Sequence, residues 1–151
     1  MPLSVRPVVA SDFPRWLPLW DGYNAFYGRE GATALPMAVT EIAWKRFLDP
    51  AEAMWSLVAD DGTRLLGMVT YLFHRSTTLP EDTCYLQDLF TAPDARGKGV
   101  GRALIEAVYA AAKEAGVGRV YWHTYETNAT AQLLYDRIAE KPGVIMYRHA
   151  L

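Results

Sequence analysis

The chain has almost no cysteine: Cys84 stands alone among 151 residues, which excludes an internal disulfide. Its setting, DTCYLQDLF, reads as a strand, where a lone thiol behaves as a small buried apolar group rather than a nucleophile. A cationic excess is also missing. Fifteen Lys and Arg face seventeen Asp and Glu for a formal charge of -2, so no general affinity for nucleic acid is expected. No stretch approaches the roughly 18 apolar residues of a membrane span, and the opening MPLSVRPVVASDFPRW has no uninterrupted apolar core of a secretory signal. The expectation is a cytoplasmic chain with no membrane partner. Repeats, linkers and low-complexity tracts are absent too, so residues 1–151 read as one domain.

What is present is apolar and aromatic, at 51% and 13% of residues, enough for one substantial core. LSVRPVV (3–9) alternates like a short strand, and SDFPRW starts a helix, with Ser11 or Asp12 as cap and Pro14 in the first turn. Trp16, Leu19, Trp20, Tyr23, Phe26 and Tyr27 then recur at helical spacing, which favours core packing over a substrate wall. Aromatics left exposed on that stripe would suit a homodimer.

Two β-rich runs flank Asp61-Gly62 in residues 54–74, the strongest hairpin signal in the chain, and a meander continues through 83–93. Val100, Leu104, Ala107, Val108 and Ala111 mark a core-facing helix ended by Gly116. RVYWHTY (119–125) reads as a strand. Asn128 caps a helix whose Ala131, Leu134, Tyr135 and Ile138 share one side, Pro142-Gly143 stop it, and VIMYRHAL closes as a strand. The order predicts an α/β (α+β) fold: a mixed, mostly antiparallel sheet with helices on both faces.

The segment TAPDARGKGVGRALIEAV sets a glycine-rich, basic loop at the mouth of a helix. A helix N-terminus offers unsatisfied N–H groups and about half a positive charge, and glycines let a phosphate come close to them. Arg96, Lys98 and Arg102 add charge there. A P-loop would need Ser or Thr after Lys98, where Gly99 stands. A dinucleotide loop would need a third glycine where Arg102 or Leu104 stands. Neither nucleotide reading fits.

RGKGVG (96–101) resembles instead the RxxGxG pyrophosphate loop of the GNAT superfamily of N-acetyltransferases, through Arg96, Gly99 and Gly101. The flanking strand, link and helix are similar in order and length, and ETNATAQLLYDRIAE is similar to that family's next helix. The resemblance is convincing from about Tyr85 onward; before that, only element order agrees. It implies acetyl-CoA as cofactor, with the pyrophosphate on the backbone of Gly97, Lys98, Gly99, Val100, Gly101 and Arg102. It implies further that the pantetheine arm pairs like a strand with Leu89, Phe90 and Thr91, and that Asn128 and Tyr135 belong to the cofactor site.

Acetyl transfer to an amine needs a proton donor near the departing thiolate, and Tyr135, a phenol of ordinary pKa near 10, matches the family's tyrosine. The base is less well marked. Polyamine-acetylating relatives carry glutamate where this chain has Gln87, and an amide is no proton acceptor. Asp88 would point to the opposite face of an ideal strand and could serve only if a bulge turned it. Glu126 and His123 are rivals, and a water chain would need none of them. Asp21, Glu30, Glu41 and Asp88 favour an ammonium-bearing acceptor, polyamine-like or lysine-like. The expected chemistry is direct attack in a ternary complex, with no metal. A catalytically weak acyl-CoA-binding regulatory module is the alternative, motivated by Gln87.

Overall fold

The computed structural model describes residues 2–151. Five strands, β1 (Ser4–Pro7), β2 (Met54–Asp60), β3 (Leu65–His74), β4 (Thr83–Thr91) and β5 (Val120–Tyr121), lie side by side in sequence order. The first three pairings are antiparallel and β4 with β5 is parallel, so the sheet is mixed and mostly antiparallel as expected. Helices α1 (Phe13–Phe26) and α2 (Met37–Leu48) cover one face, and α3 (Val100–Glu114) and α4 (Ala129–Ile138) cover the other. No helix among the described residues is long and apolar enough to cross a membrane.

The stripe of α1 buries Trp16, Leu19, Trp20 and Tyr23, each contributing about 2 kcal/mol or more by area removed from water. Trp16 is fully enclosed, with its ring 4.8 Å from that of Trp44 and 5.3 Å from that of Trp20. Phe26 is the departure: it lies 55% exposed, because the stripe drifts off the sheet in the last turn. Gly22 lets α1 approach β4, since a Cβ there would stand 2.8 Å from the Phe90 ring.

Asp12 precedes α1 but makes no side-chain cap. Its carboxylate turns back to accept from the Val9 amide at 2.9 Å and from Arg6 and Arg15, each at 2.7 Å. An ion pair with Arg6 outcompetes a neutral cap at this wholly buried carboxylate, because charge-assisted bonds are the stronger ones.

The β2–β3 hairpin turns at Asp61-Gly62 as expected. Asp61 accepts from the amides of Thr63 and Arg64 at 2.8 and 2.9 Å, holding the turn closed through its own side chain. Helix α3 buries Val100, Leu104, Ile105, Val108 and Ala112 against the sheet and ends at left-handed Gly116.

Two expected strands are corrected. Of residues 119–125 only Val120 and Tyr121 pair with β4, because the chain then splays away from it. VIMYRHAL forms no strand: residues 144–151 are exposed and lie outside the sheet, and an isolated strand has no ladder to stabilise it.

Candidate active site

The site begins with a fault in β4. Along the β3 ladder Thr70 pairs with Asp88 and the next residue, Tyr71, pairs with Leu86, which leaves Gln87 as the extra residue of a bulge. A bulge shifts the alternation of faces by one. Before it, Cys84 and Leu86 point into the α3 core; after it, Phe90 points into the α1 core and Leu89 toward α3. Asp88 therefore faces α1, as the conditional reading of the sequence required.

Asp88 is 7% exposed, opposite Thr70, which in turn pairs with Ser56 on β2. These three make a buried polar row on an otherwise apolar face. The hydroxyls of Ser56 and Thr70 have no partner of their own among the described residues. Burial pushes the Asp88 carboxyl above the usual carboxylate range, opposed by the neighbouring Tyr23 hydroxyl and by the charge of Arg29. Tyr23 is raised in turn, first by burial and then by the charge of Asp88.

Beyond Tyr85 and Tyr121 the two parallel strands part, while β4 stays paired with β3 through Thr91. One edge of Leu89, Phe90 and Thr91 is thereby left facing a cleft. At its narrow point Tyr23, Tyr27, Gln87, Trp122, His123 and Tyr135 enclose a cavity of about 20 Å³, roughly the space of one water. The Tyr27 and Tyr125 rings meet across the opening, with centroids 5.4 Å apart.

Tyr135 comes from the second turn of α4 and packs edge-on against Trp122 at 5.3 Å. Burial pushes its phenol up to about 12, with a smaller contribution from Tyr27. Nearby Tyr109 spends its hydroxyl on the Ile138 carbonyl, whereas Tyr135 turns toward the cleft. The other candidates lie differently. Gln87 is exposed on the cleft wall, and His123 is exposed with Nδ1 3.3 Å from the Tyr85 hydroxyl. Glu126 is solvent-exposed before α4 and is not among the cavity-lining residues. Asn128 caps α4, its Oδ1 accepting from the Ala131 amide at 3.4 Å. Cys84 is fully buried with its thiol pushed up to about 12, the inert state expected of a core cysteine.

At the other end of the cleft, Gly97 and Gly99 adopt φ of 76° and 82°, a region that side chains rarely enter. A Cβ on either would meet nothing within 4 Å, so only the backbone conformation, not crowding, calls for glycine there. The first amide of α3 bonded within the helix is that of Ala103, to the Gly99 carbonyl, which leaves the preceding N–H groups of the first turn free. Arg96 donates to the Thr91 carbonyl at 3.2 Å and lies over Phe90 at 5.4 Å. Lys98 is exposed, and Arg102 pairs with Glu106 at 2.8 Å. An open anion cradle running into an unpaired strand edge fits a phosphorylated, amide-bearing cofactor.

Sequence reasoning missed Tyr23 and Tyr27 as cleft residues and gave Arg29 no role. The helical stripe did signal both tyrosines; it could not say that the stripe runs off the core into the cleft.

The sequence pattern described as the Acetyltransferase (GNAT) family matches residues 16–139. The D-amino-acid N-acetyltransferase HPA3 of Saccharomyces cerevisiae is 36% identical over 148 residues, covering 97% of this chain and 89% of its own. Among solved structures, AAC(6')-Iy in complex with the bisubstrate analog CoA-S-monomethyl-acetylneamine superposes with a TM-score of 0.82 at 18% identity, covering 100% of both chains. The aminoglycoside acetyltransferase meta-AAC0020, from an uncultured soil metagenomic sample and in complex with trehalose, gives 0.82 at 17% identity over 99% of this chain and 96% of its own. At such identity the likeness of the last two is one of fold.

Proposed function

The chain belongs to the GNAT family and is an N-acetyltransferase that uses acetyl-CoA, and from that premise we propose that it acetylates a primary amine by direct attack, with Asp88 and Tyr135 handling the two protons. The observation that carries this reading is the bulge at Gln87, which turns a buried carboxylate toward the cleft's α1 wall while Tyr135 faces the cleft from α4.

Bound acetyl-CoA supplies an acetyl group activated as a thioester. The amides of residues 97–102 and the side chains of Arg96 and Lys98 would hold its phosphates, and the edge of Leu89, Phe90 and Thr91 would take the amide-bearing arm. Asn128 contributes by fixing the start of α4 and hence the place of Tyr135.

An amine acceptor arrives mostly as ammonium at neutral pH. Asp88 attracts that charge and, with its pKa raised by burial, accepts the proton more readily than an exposed aspartate would. Gln87, with no proton to accept, orients the acceptor from the cleft wall. Burial pushes the Tyr135 phenol up to about 12, so it keeps its proton at neutral pH; its hydroxyl would protonate the departing sulfur, and the second proton lost by the amine nitrogen would return to the phenol. The enclosing aromatic rings of Tyr23, Tyr27 and Trp122 keep bulk water from competing.

The test is incubation with acetyl-CoA and a panel of amines, following release of free thiol and acetylated product. Acceptor-dependent release supports the proposal; silence across amino acids, polyamines and peptidyl lysines overturns it.

A further inference from the structure

Five arginines spend their guanidinium groups on acids: Arg6 on Asp12 and Asp60, Arg15 on Asp12, Arg64 on Asp94, Arg75 on Asp82 and Arg102 on Glu106. Arg29 does not. It follows the left-handed Gly28 that ends α1, and its backbone amide is tied to the Asn24 carbonyl at 2.8 Å. Its Nε donates to Asn24 Oδ1 at 2.7 Å. Asn24 is itself 4% exposed and locked from behind, its Nδ2 donating to the Trp20 carbonyl at 2.9 Å. The guanidinium carbon sits 5.8 and 5.6 Å from the ring centres of Tyr23 and Tyr27. Among the described residues the group thus has a neutral anchor, two aromatic supports and no carboxylate, so its terminal nitrogens are unspent.

That is the arrangement of a fork held ready for a planar anion. A guanidinium loses little freedom on binding when Nε and the ring faces already fix it, and its two terminal N–H groups match a carboxylate in a bidentate pair. The same device recurs at Arg96, held through Nε by a carbonyl and stacked on Phe90, beside the phosphate loop. Arg29 lies instead against Tyr23 and Tyr27, which line the cleft beside Gln87 and Tyr135, and it also lines a groove of about 520 Å³ beside α1. The two exposed acids on that groove, Asp21 and Glu30, form no ion pair with it.

We propose that Arg29 is the carboxylate clamp of the acceptor site, and that the acceptor is an α-amino acid, its amine directed to Asp88 and its carboxylate to Arg29. This rests on the reading of the cleft as the site of amine acetylation and narrows it. A polyamine brings no anion for Arg29 and adds a second cation beside it. A zwitterion satisfies the buried acid and the unspent fork together.

The experiment compares each of several α-amino acids, in both enantiomers, with the amine made by removing its carboxylate, for the wild type, Arg29→Lys and Arg29→Met. In the wild type kcat/KM favours the amino acid. In Arg29→Met the ratio of amino acid to amine falls by about 30-fold, carried by KM for the amino acid, as expected when a charge-assisted pair is lost. Arg29→Lys keeps the charge but not the fork and falls between. A purely structural role would lower both substrates together and leave the ratio unmoved, which overturns the proposal, as does a wild type that prefers the amines. If no acceptor of either kind is acetylated, the acetyl-transfer reading itself fails and the clamp with it. Thermal melting of each variant separates a folding defect from a lost contact.

Discussion

Under α3 the sheet buries Leu57, Ala59, Val69, Leu86 and Cys84, while under α1 and α2 the same three central strands bury Ser56, Thr70 and Asp88 beside Val58 and Met68. The first face is an apolar bed for α3, the helix whose N-terminus the proposed function sets beneath the cofactor's phosphates. Any well-packed apolar set serves it. The second carries an ionisable group that costs stability to bury and two hydroxyls without partners. Proteins retain such costs where chemistry needs them, and here the row ends at Asp88, next to Gln87 on the cleft wall. On the proposed placing of the two substrates, rigidity falls to the α3 face and charge to the α1 face.

The sharpest way to break that contrast is Asp88→Asn. If the polar face supplies the base, kcat/KM falls by about 10³-fold at pH 7, within the range for losing a general base. The pH profile is the second check. Because the folded pKa of Asp88 is raised, the wild-type acidic limb should lie above the usual aspartate value near 3.9, activity rising as the carboxylate ionises, and the limb should vanish in the variant. An unchanged limb would assign the proton to another group.

Tyr135→Phe tests the opposite wall. Removing one proton donor should lower kcat by about 10²-fold. Acetyl-CoA affinity, measured by calorimetry, should stay within about threefold, since the ring and its contact with Trp122 remain. Equal loss of binding and turnover would make the tyrosine a packing residue.

Asp12→Ala probes the polar face for stability alone, far from the cleft. The variant strands the charge of Arg15 and leaves Arg6 with Asp60 alone; both arginines are partly exposed, so we expect a loss of about 2 kcal/mol in denaturant unfolding, below the range for fully buried pairs. Arg6 holds the Asp12 carboxyl well below its ordinary value. The pair's contribution is therefore complete above about pH 4 and disappears as the pH falls through the lowered folded value. The variant's stability should show a weaker acid dependence.

The smallest effect belongs to Gly99→Ala on the cofactor side. No atom lies where its Cβ would go, so only the left-handed backbone resists, at about 1 kcal/mol. That should appear as roughly fivefold weaker acetyl-CoA binding with kcat little changed.

Much of the fold was legible because its signals are local. Asp61 and Gly62 close a hairpin through one side chain and one left-handed residue. Asn128 caps α4, Gly116 ends α3, and Gly97 and Gly99 announce a loop no other residue type would form easily. The expected closing strand failed for the converse reason. VIMYRHAL has the composition of a strand, yet pairing is a property of two segments, and no strand among the described residues pairs with it. The splay after Tyr121 was hidden in the same way, since RVYWHTY alternates without a break while its partner stops accompanying it.

The sequence by itself determined the left-handed glycine loop before α3, the cap of α4 and the presence of an acid beside Gln87, since each depends on residues a few positions apart. Only the tertiary structure decided which face that acid takes. A strand's alternation has a period of two, so one unpaired residue moves every later side chain across the sheet, and where that residue falls is set by register against β3. The same holds for Arg29. Nothing in its neighbours along the chain says that Asn24 will be buried, that Tyr23 and Tyr27 will turn toward it, or that no acid will reach it, because those are outcomes of packing.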